Sequence, residues 1–349
     1  MSVEKIFRGS PRYYEKVANV IFGNNKLDFL SLNLPPICNY HCNFCFSSNT
    51  SNNPELLKKA RENTLTFEEY TSILQQAKAL GVRHLEISGE GEPDFPLFRN
   101  TLEHIIREAS RLNIHTTLFT NGSWLNEKRL EFIKNNNASL VISIKYLNQE
   151  KYDHAVKING SFNKVIKNIE LAQDILGGNI EENNYQIYRL ALFGAVLGDN
   201  QQDIEELRNY CDQHDLFFSL SSLIPQGNSA GAYVDCEAQE NIVKQFSHSS
   251  MILADSSQQS TGKEVCGTFY YGIGINYDGE VVFDAHASDA VGLIGNIRTL
   301  NLARAVTQQR VIRDLFYQQF GQCYCPLRDP SYANFIAYLK RNETTANPV

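Results

Sequence analysis

Cys38, Cys42 and Cys45 stand at C-x3-C-x2-C spacing in the run Cys-Asn-Tyr-His-Cys-Asn-Phe-Cys. Three thiolates this close along the chain can reach one metal centre, and soft sulfur donors favour zinc or iron–sulfur clusters. Structural zinc takes four protein ligands, often as two separated pairs. No second pair lies nearby, although His41 offers a fourth donor. Three cysteines on a [4Fe–4S] cluster leave one iron open to bind something else. With 8 cysteines in 349 residues, chance supplies roughly 0.004 such triplets, so the spacing carries information. A zinc or redox cysteine cluster stays open as the alternative.

Four other places carry chemistry. In Ser88-Gly-Glu-Gly-Glu-Pro93, Gly89 and Gly91 let backbone approach a ligand, and Glu92 can accept from an ammonium group. An ordinary Gly-Pro turn with solvated glutamates is the plainer account. Thr120-Asn121-Gly122 reads as a turn. Ser143 and Lys145 share strand parity and can point to one side. Arg189 is flanked by apolar residues, and a buried arginine needs an anion or a salt bridge.

The elements that position these groups follow from periodicity. Residues 29–34 alternate apolar and polar and read as a strand. Pro35 and Pro36 end it, because proline cannot donate to a sheet ladder. The cysteines therefore sit on a loop at a strand's carboxyl end. Thr66 and Glu69 have capping-box spacing and open a helix, which Gly81 closes. Further strands are expected over 84–89, 115–120, 140–146, 186–196 and 217–224. Helices are expected over 97–112, 127–135, 162–175 and 203–212. Six strands alternating with helices predict parallel βαβ units, too few for a complete eight-fold barrel. In parallel barrels the working loops follow the carboxyl ends of strands.

Residues 1–28 read as a lead with one helix over 11–22. Cys211 falls at i, i+3, i+7 with Ile204 and Leu207, a core position. His84, His104 and His115 lie within patterned elements and are expected to satisfy local hydrogen bonds. The turn-rich run 225–231 marks a domain boundary. Beyond it, Asp278-Gly279 between alternating apolar runs predicts a hairpin, and a long amphipathic helix covers 300–320.

A net charge of −7 does not advertise a surface for nucleic acid. No apolar run reaches membrane-spanning length, and the first ten residues lack a secretion-signal core. The expected location is the cytoplasm, with reduced thiols that are metal ligands or buried groups.

The cysteine loop resembles the signature of the radical S-adenosylmethionine (SAM) family, with Phe44 as the aromatic before the last cysteine. The resemblance implies an α/β fold: an open, partial (βα)6 TIM-like barrel over 29–225 and a smaller α+β domain over 226–349. It implies a [4Fe–4S] cluster on Cys38, Cys42 and Cys45, whose open iron chelates the methionine moiety of SAM. Gly91-Glu92-Pro93 is similar to the family's Gly-Gly-Glu-Pro element, which holds the SAM amino group; Glu90 stands where a glycine is common. Thr120-Asn121-Gly122 supports the same register. By the same resemblance Ser143 meets the ribose, and Lys145 and Arg189 meet the carboxylate, although many relatives carry an acidic residue at the place of Lys145. The place of His41 varies in the family, so it receives no ligand role.

The carboxyl-terminal part resembles the SPASM and Twitch extensions, which carry auxiliary clusters. Cys266, Cys323 and Cys325 suit one such cluster. Asp284 stands where relatives carry cysteine and is the leading fourth ligand, with His286 and Cys236 as rivals and turn capping as its plain alternative. A cluster-free domain is the other reading. The expected activity is reductive cleavage of SAM to a 5′-deoxyadenosyl radical. That radical takes a hydrogen atom from a small-molecule substrate, leading to oxidation, epimerisation or rearrangement. The expected electron source is a flavodoxin- or ferredoxin-type reductant. The short lead favours a small molecule over a peptide; a peptide-modifying maturase is the alternative. An electron carrier or zinc module is a third reading, but it leaves the Gly-Glu-Pro turn without a job.

Overall fold

The computed structural model describes residues 3–20, 26–47, 53–198, 200–230, 236–248, 253–254, 264–265, 267–284, 286–287, 291–320, 327 and 331–343. The chain opens with β1 (Glu4–Phe7) and α1 (Pro11–Lys16). Ser10 caps α1 at Tyr13 N, and Pro11 starts it where a missing N–H costs nothing. The expected helix over 11–22 is therefore six residues long, and the lead contains a strand as well.

Next come β2 (Phe29–Asn33), α2 (Pro54–Asn63), α3 (Phe67–Ala79), β3 (His84–Ser88), α4 (Arg99–Arg111) and β4 (His115–Thr120). They are followed by α5 (Glu127–Asn135), β5 (Ser139–Ser143), α6 (Gln149–Val156) and α7 (Ser161–Leu176). The run ends with β6 (Ile180–Glu182), β7 (Tyr185–Tyr188), β8 (Leu190–Val196), α8 (Gln201–Gln213) and β9 (Phe217–Ser222). The reciprocal capping box at Thr66 and Glu69 starts α3 as its spacing predicts. Strands β2, β3, β4, β5, β8 and β9 pair in that order, every pair parallel. This is the open (βα)6 partial barrel.

Strand alternation divides the two faces. Leu30, Leu32, Leu85, Ile87, Leu118 and Ile142 pack with helix residues such as Ile73, Ile105, Ile133 and Ile169 in one buried core. Ser31, Glu86 and Thr117, paired across β2, β3 and β4, take the opposite face, the barrel interior.

The expected strand over 186–196 breaks at Arg189. β7 leaves the main sheet to pair parallel with β1 and antiparallel with β6. Asn183 and Asn184, both at positive φ (53° and 66°), make the tight turn between β6 and β7. Phe7 and Tyr188 then join Val141, Ala191 and Phe217 as an apolar plug at the amino end of the barrel.

The remaining elements are α9 (Cys236–Phe246), β10 (Leu253–Ala254), β11 (Glu264–Val265), α10 (Gly267–Tyr271), β12 (Gly272–Asn276), β13 (Glu280–Val282), β14 (Gly295–Asn296), α11 (Leu302–Phe320) and α12 (Tyr332–Glu343). Strands β12 and β13 form the predicted hairpin, with Gly279 at φ +89°. β12 pairs parallel with β2, so the sheet continues across the boundary expected at 225 and reaches nine strands. Phe269, Phe283, Phe316 and Phe335 belong to the same core as the barrel helices. No described helix is long and apolar enough to cross a membrane.

Candidate functional site

The cysteine loop leaves the carboxyl end of β2 and is clamped from three directions. Ala155 and Val156, at the end of α6, accept from Asn43 N and His41 N, both at 3.1 Å; helix-end carbonyls of this kind need partners from outside the helix. Glu92 N donates to Ile37 O at 2.8 Å. A Cβ on Gly91 would stand 2.5 Å from both Ile37 N and Ile37 O. After β9, Asn228 Nδ2 donates to Cys42 O at 2.8 Å and Ser229 N to Cys45 O at 3.3 Å. Gly227, at φ +58°, lies so close that a Cβ would meet Phe46 O at 2.3 Å.

Cys38, Cys42 and Cys45 are free thiols and only partly buried. Tyr40 N and Ser47 N point at the sulfurs of Cys38 and Cys45, each at 3.4 Å. Burial pushes all three thiols up, Cys42 to about 12; neighbouring thiols add to the rise at Cys38 and Cys42, and Glu90 adds to it at Cys45. Three mutually repelling thiolates in a poorly solvated loop are costly without a positive centre, and bound metal offsets that cost. The sulfur donors and the N–H groups aimed at them fit an iron–sulfur cluster.

Glu92 is 3% exposed. Its Oε1 accepts from Thr120 Oγ1 at 2.5 Å and Asp94 N at 3.0 Å, and its Oε2 from Asn121 N at 2.7 Å. Burial pushes its pKa up to about 7 even against these donors. The carboxylate thus ties the ends of β3 and β4 together behind Cys38. Asp94 continues the brace through Arg129, at 2.7 Å, which also pairs with Glu103. Gly89, at φ +132°, packs its backbone on Asn33.

Ser143 closes β5, and Lys145 lies two residues beyond it, buried. Lys145 Nζ donates to Ser143 Oγ and, at 3.1 Å, to Phe193 O. It stands 5.0 Å from the centre of the Phe193 ring and 5.9 Å from that of Phe44. Burial lowers its pKa to about 8, while Cys42 and Cys45 pull it back up. Cys42, Phe44, Asn121, Ser143, Lys145 and Tyr152 line one cleft. Four of these, Cys42, Phe44, Ser143 and Lys145, were candidates on sequence alone.

Asn121, read from sequence as part of a turn that supports the register but given no site role, donates through Nδ2 to Asn39 Oδ1 at 3.0 Å and lies 3.8 Å from the sulfur of Cys38. Its place directly after β4 was the available signal.

Arg189 is not brought to this site. It lies before β8, at the opposite end of the sheet, and donates to Ala138 O at 2.8 Å and Lys134 O at 3.3 Å. Those carbonyls, at and just past the end of α5, supply the acceptors its burial requires. Asp284 Oδ1 accepts from His286 N at 2.9 Å and from the His286 ring at 3.1 Å, the geometry of a capped turn. Cys266, Cys323 and Cys325 lie outside the described residues, as does any cluster they hold.

Comparison with known proteins gives a consistent picture. The sequence model of the Radical SAM superfamily matches residues 32–211. GTP 3',8-cyclase of Clostridium botulinum (strain Okra / Type B1) is 25% identical over 240 residues, 68% of each chain. PqqA peptide cyclase of Rhizobium meliloti (strain 1021) is 32% identical over 128 residues, 36% of this chain and 31% of that one. Streptococcus suis SuiB bound to S-adenosylmethionine superposes with a TM-score of 0.60 at 15% identity, covering 94% of this chain and 71% of that one. Native anSMEcpe with bound AdoMet gives 0.59 at 14% identity, covering 91% and 98%. The two superpositions establish the fold.

Proposed function

Because this chain belongs to the radical SAM superfamily, which works with a [4Fe–4S] cluster and SAM, we propose that Cys38, Cys42 and Cys45 hold that cluster. In this reading SAM lies in the cleft of Phe44, Ser143 and Lys145. When bound, the cluster supplies one electron to the sulfonium of SAM, which splits into methionine and a 5′-deoxyadenosyl radical that takes a hydrogen atom from a substrate C–H bond.

The protein's share is binding, orientation and exclusion of water. Lys145 Nζ offers a charge-assisted donor to the SAM carboxylate, and Ser143 Oγ a partner for a ribose hydroxyl. Glu92 acts as a positioning residue, because its oxygens already accept three internal donors. The observation that carries the reading is the meeting of Cys42, Phe44, Ser143 and Lys145 in one cleft. The chemistry requires a low-potential one-electron donor, and a flavodoxin- or ferredoxin-type protein is the partner proposed for it.

The preferred substrate is a small molecule, since the likeness to a GTP cyclase spans the longer stretch of this chain. Peptide modification is the second reading, favoured by the shorter but closer match to a peptide cyclase. Reconstituted without oxygen and reduced with dithionite, the protein should release 5′-deoxyadenosine from SAM. A C38A/C42A/C45A variant should release none. Undiminished release from that variant would falsify the assignment.

A further inference from the structure

A closed ring of hydrogen bonds lies beside Cys38. Ser123 N donates to Asn121 Oδ1 at 2.9 Å. Asn121 Nδ2 donates to Asn39 Oδ1 at 3.0 Å, and Asn39 Nδ2 to Ser123 Oγ at 3.0 Å. A backbone N–H can only donate, so the first bond fixes which end of the Asn121 amide carries the oxygen. The amide nitrogen is thereby turned toward Asn39 and toward the Cys38 sulfur, 3.8 Å away. An asparagine amide nitrogen has two hydrogens to donate. Asn39 takes one, which leaves the other for the sulfur. The backbone of Asn121 is held as well, because its N–H donates to the buried Glu92 at 2.7 Å. Tyr40 N approaches the same sulfur at 3.4 Å, so Cys38 faces two N–H donors.

We infer that Asn121 is a positioning residue that sets the reduction potential of the cluster through the Cys38 sulfur. The potential of an iron–sulfur centre depends on hydrogen bonds to its sulfurs, and groups behind the ligands tune the metal. One electron taken from a low-potential donor adds one negative charge to the centre. An N–H aimed at the sulfur stabilises the reduced form more than the oxidised form, so Asn121 makes reduction easier. The ring gives the contact its direction. Asn121 lines the cleft and is only partly buried, so an unanchored amide there would turn to water. With its oxygen held by Ser123 N, the amide keeps its nitrogen on Cys38. The inference rests on Cys38 holding the cluster, as proposed above.

The test is a mediated redox titration of the reconstituted full chain, followed by EPR. Signals missing from the C38A/C42A/C45A variant are assigned to this cluster. Asn121→Ala should lower the equilibrium constant for its reduction at least threefold, a negative shift of about 28 mV at about 59 mV per tenfold for one electron. Asn121→Asp keeps the acceptor for Ser123 N but turns an oxygen toward the sulfur, and should lower the constant at least as much. Iron content and melting temperature report whether each variant folds. A second readout needs no variant. Wild-type protein labelled with heavy nitrogen only at its asparagine side-chain amides should show a nitrogen coupling in pulsed EPR of the reduced cluster. A constant within twofold of wild type in the folded variants overturns the inference and leaves the ring as a brace between loops. A labelled wild type without that coupling overturns it too. If no signal is lost in the C38A/C42A/C45A variant, the cluster is not on these cysteines, and the proposed function fails together with the inference.

Discussion

Replacing Gly91 by alanine separates two uses of a glycine. On sequence alone, Gly91 lets backbone approach a ligand. In the fold, it lets backbone approach the cysteine loop: a Cβ there would lie 2.5 Å from Ile37 N and O and 2.8 Å from Pro35 O. All three obstacles are backbone atoms, so no side chain can rotate away. Relieving the overlap needs a shift of roughly 1 Å in the residue beside Cys38, and forced overpacking of this kind costs about 1–3 kcal/mol. Gly91 does not have positive φ, so the cost is steric alone. A loss of about 2 kcal/mol lowers the melting temperature of a 349-residue chain by about 3 °C, at about 2.1 cal/mol/K of unfolding entropy per residue. The assay is thermal melting of the metal-free protein, followed by iron uptake on reconstitution. Both should fall together. If the metal-free variant melts within about 1 °C of wild type while SAM affinity drops, the glycine faces the ligand and the packing argument is wrong.

Three further outcomes follow from other parts of the molecule. Lys145→Ala removes a charged donor, a loss of about 1.5–3 kcal/mol, so SAM affinity measured by calorimetry should fall about tenfold or more. At the amino end, Tyr14 hydrogen-bonds His84 Nδ1 at 3.1 Å, and burial holds the His84 pKa down to about 3. An unfolded histidine titrates near ~6.5, so the unfolded chain binds the extra proton first. Stability from this group is complete above pH ~6.5 and is lost as pH falls toward 3, by up to a few kcal/mol. Urea unfolding at several pH values should show His84→Gln with a shallower acid loss than wild type; parallel curves would remove His84 as the cause. Finally, an iron count on the C38A/C42A/C45A variant should leave about four irons if Cys266, Cys323 and Cys325 hold an auxiliary cluster. An iron-free variant would dismiss that cluster.

Features set by neighbours in the chain were legible in the sequence. The cysteine spacing, the Thr66–Glu69 capping box and the Asp278-Gly279 turn each need only a few residues to declare themselves. The bounds of β4 and α5 were read the same way. Features set by distant partners were not legible. Nothing in residues 272–276 states that their strand lies against β2, more than two hundred residues earlier. The clamps on the cysteine loop come from Ala155, Val156 and Asn228, and hydrogen bonds of that range leave no periodic trace. Arg189 shows both sides. Its apolar neighbours correctly imply a buried guanidinium that must be satisfied, yet carbonyls at 134 and 138 can satisfy it as well as an anion can.

The same distinction decides what the polar candidates do. Residue type shows that a group can bind a charged ligand; the partners it already has show whether that capacity is spent. Glu92 and Lys145 looked alike as ligand contacts. Glu92 accepts from two backbone amides and a hydroxyl, so its charge holds loops together. Lys145 has one hydroxyl and one carbonyl as hydrogen-bond acceptors, and its ammonium lies in a cleft with the thiol of Cys42. No carboxylate is paired with it among the described residues, and an anion delivered to that cleft meets a cation that burial has left poorly solvated. Charge that the fold has not neutralised is where a ligand gains most. On that criterion we propose that the cleft at Lys145 takes the anionic end of SAM.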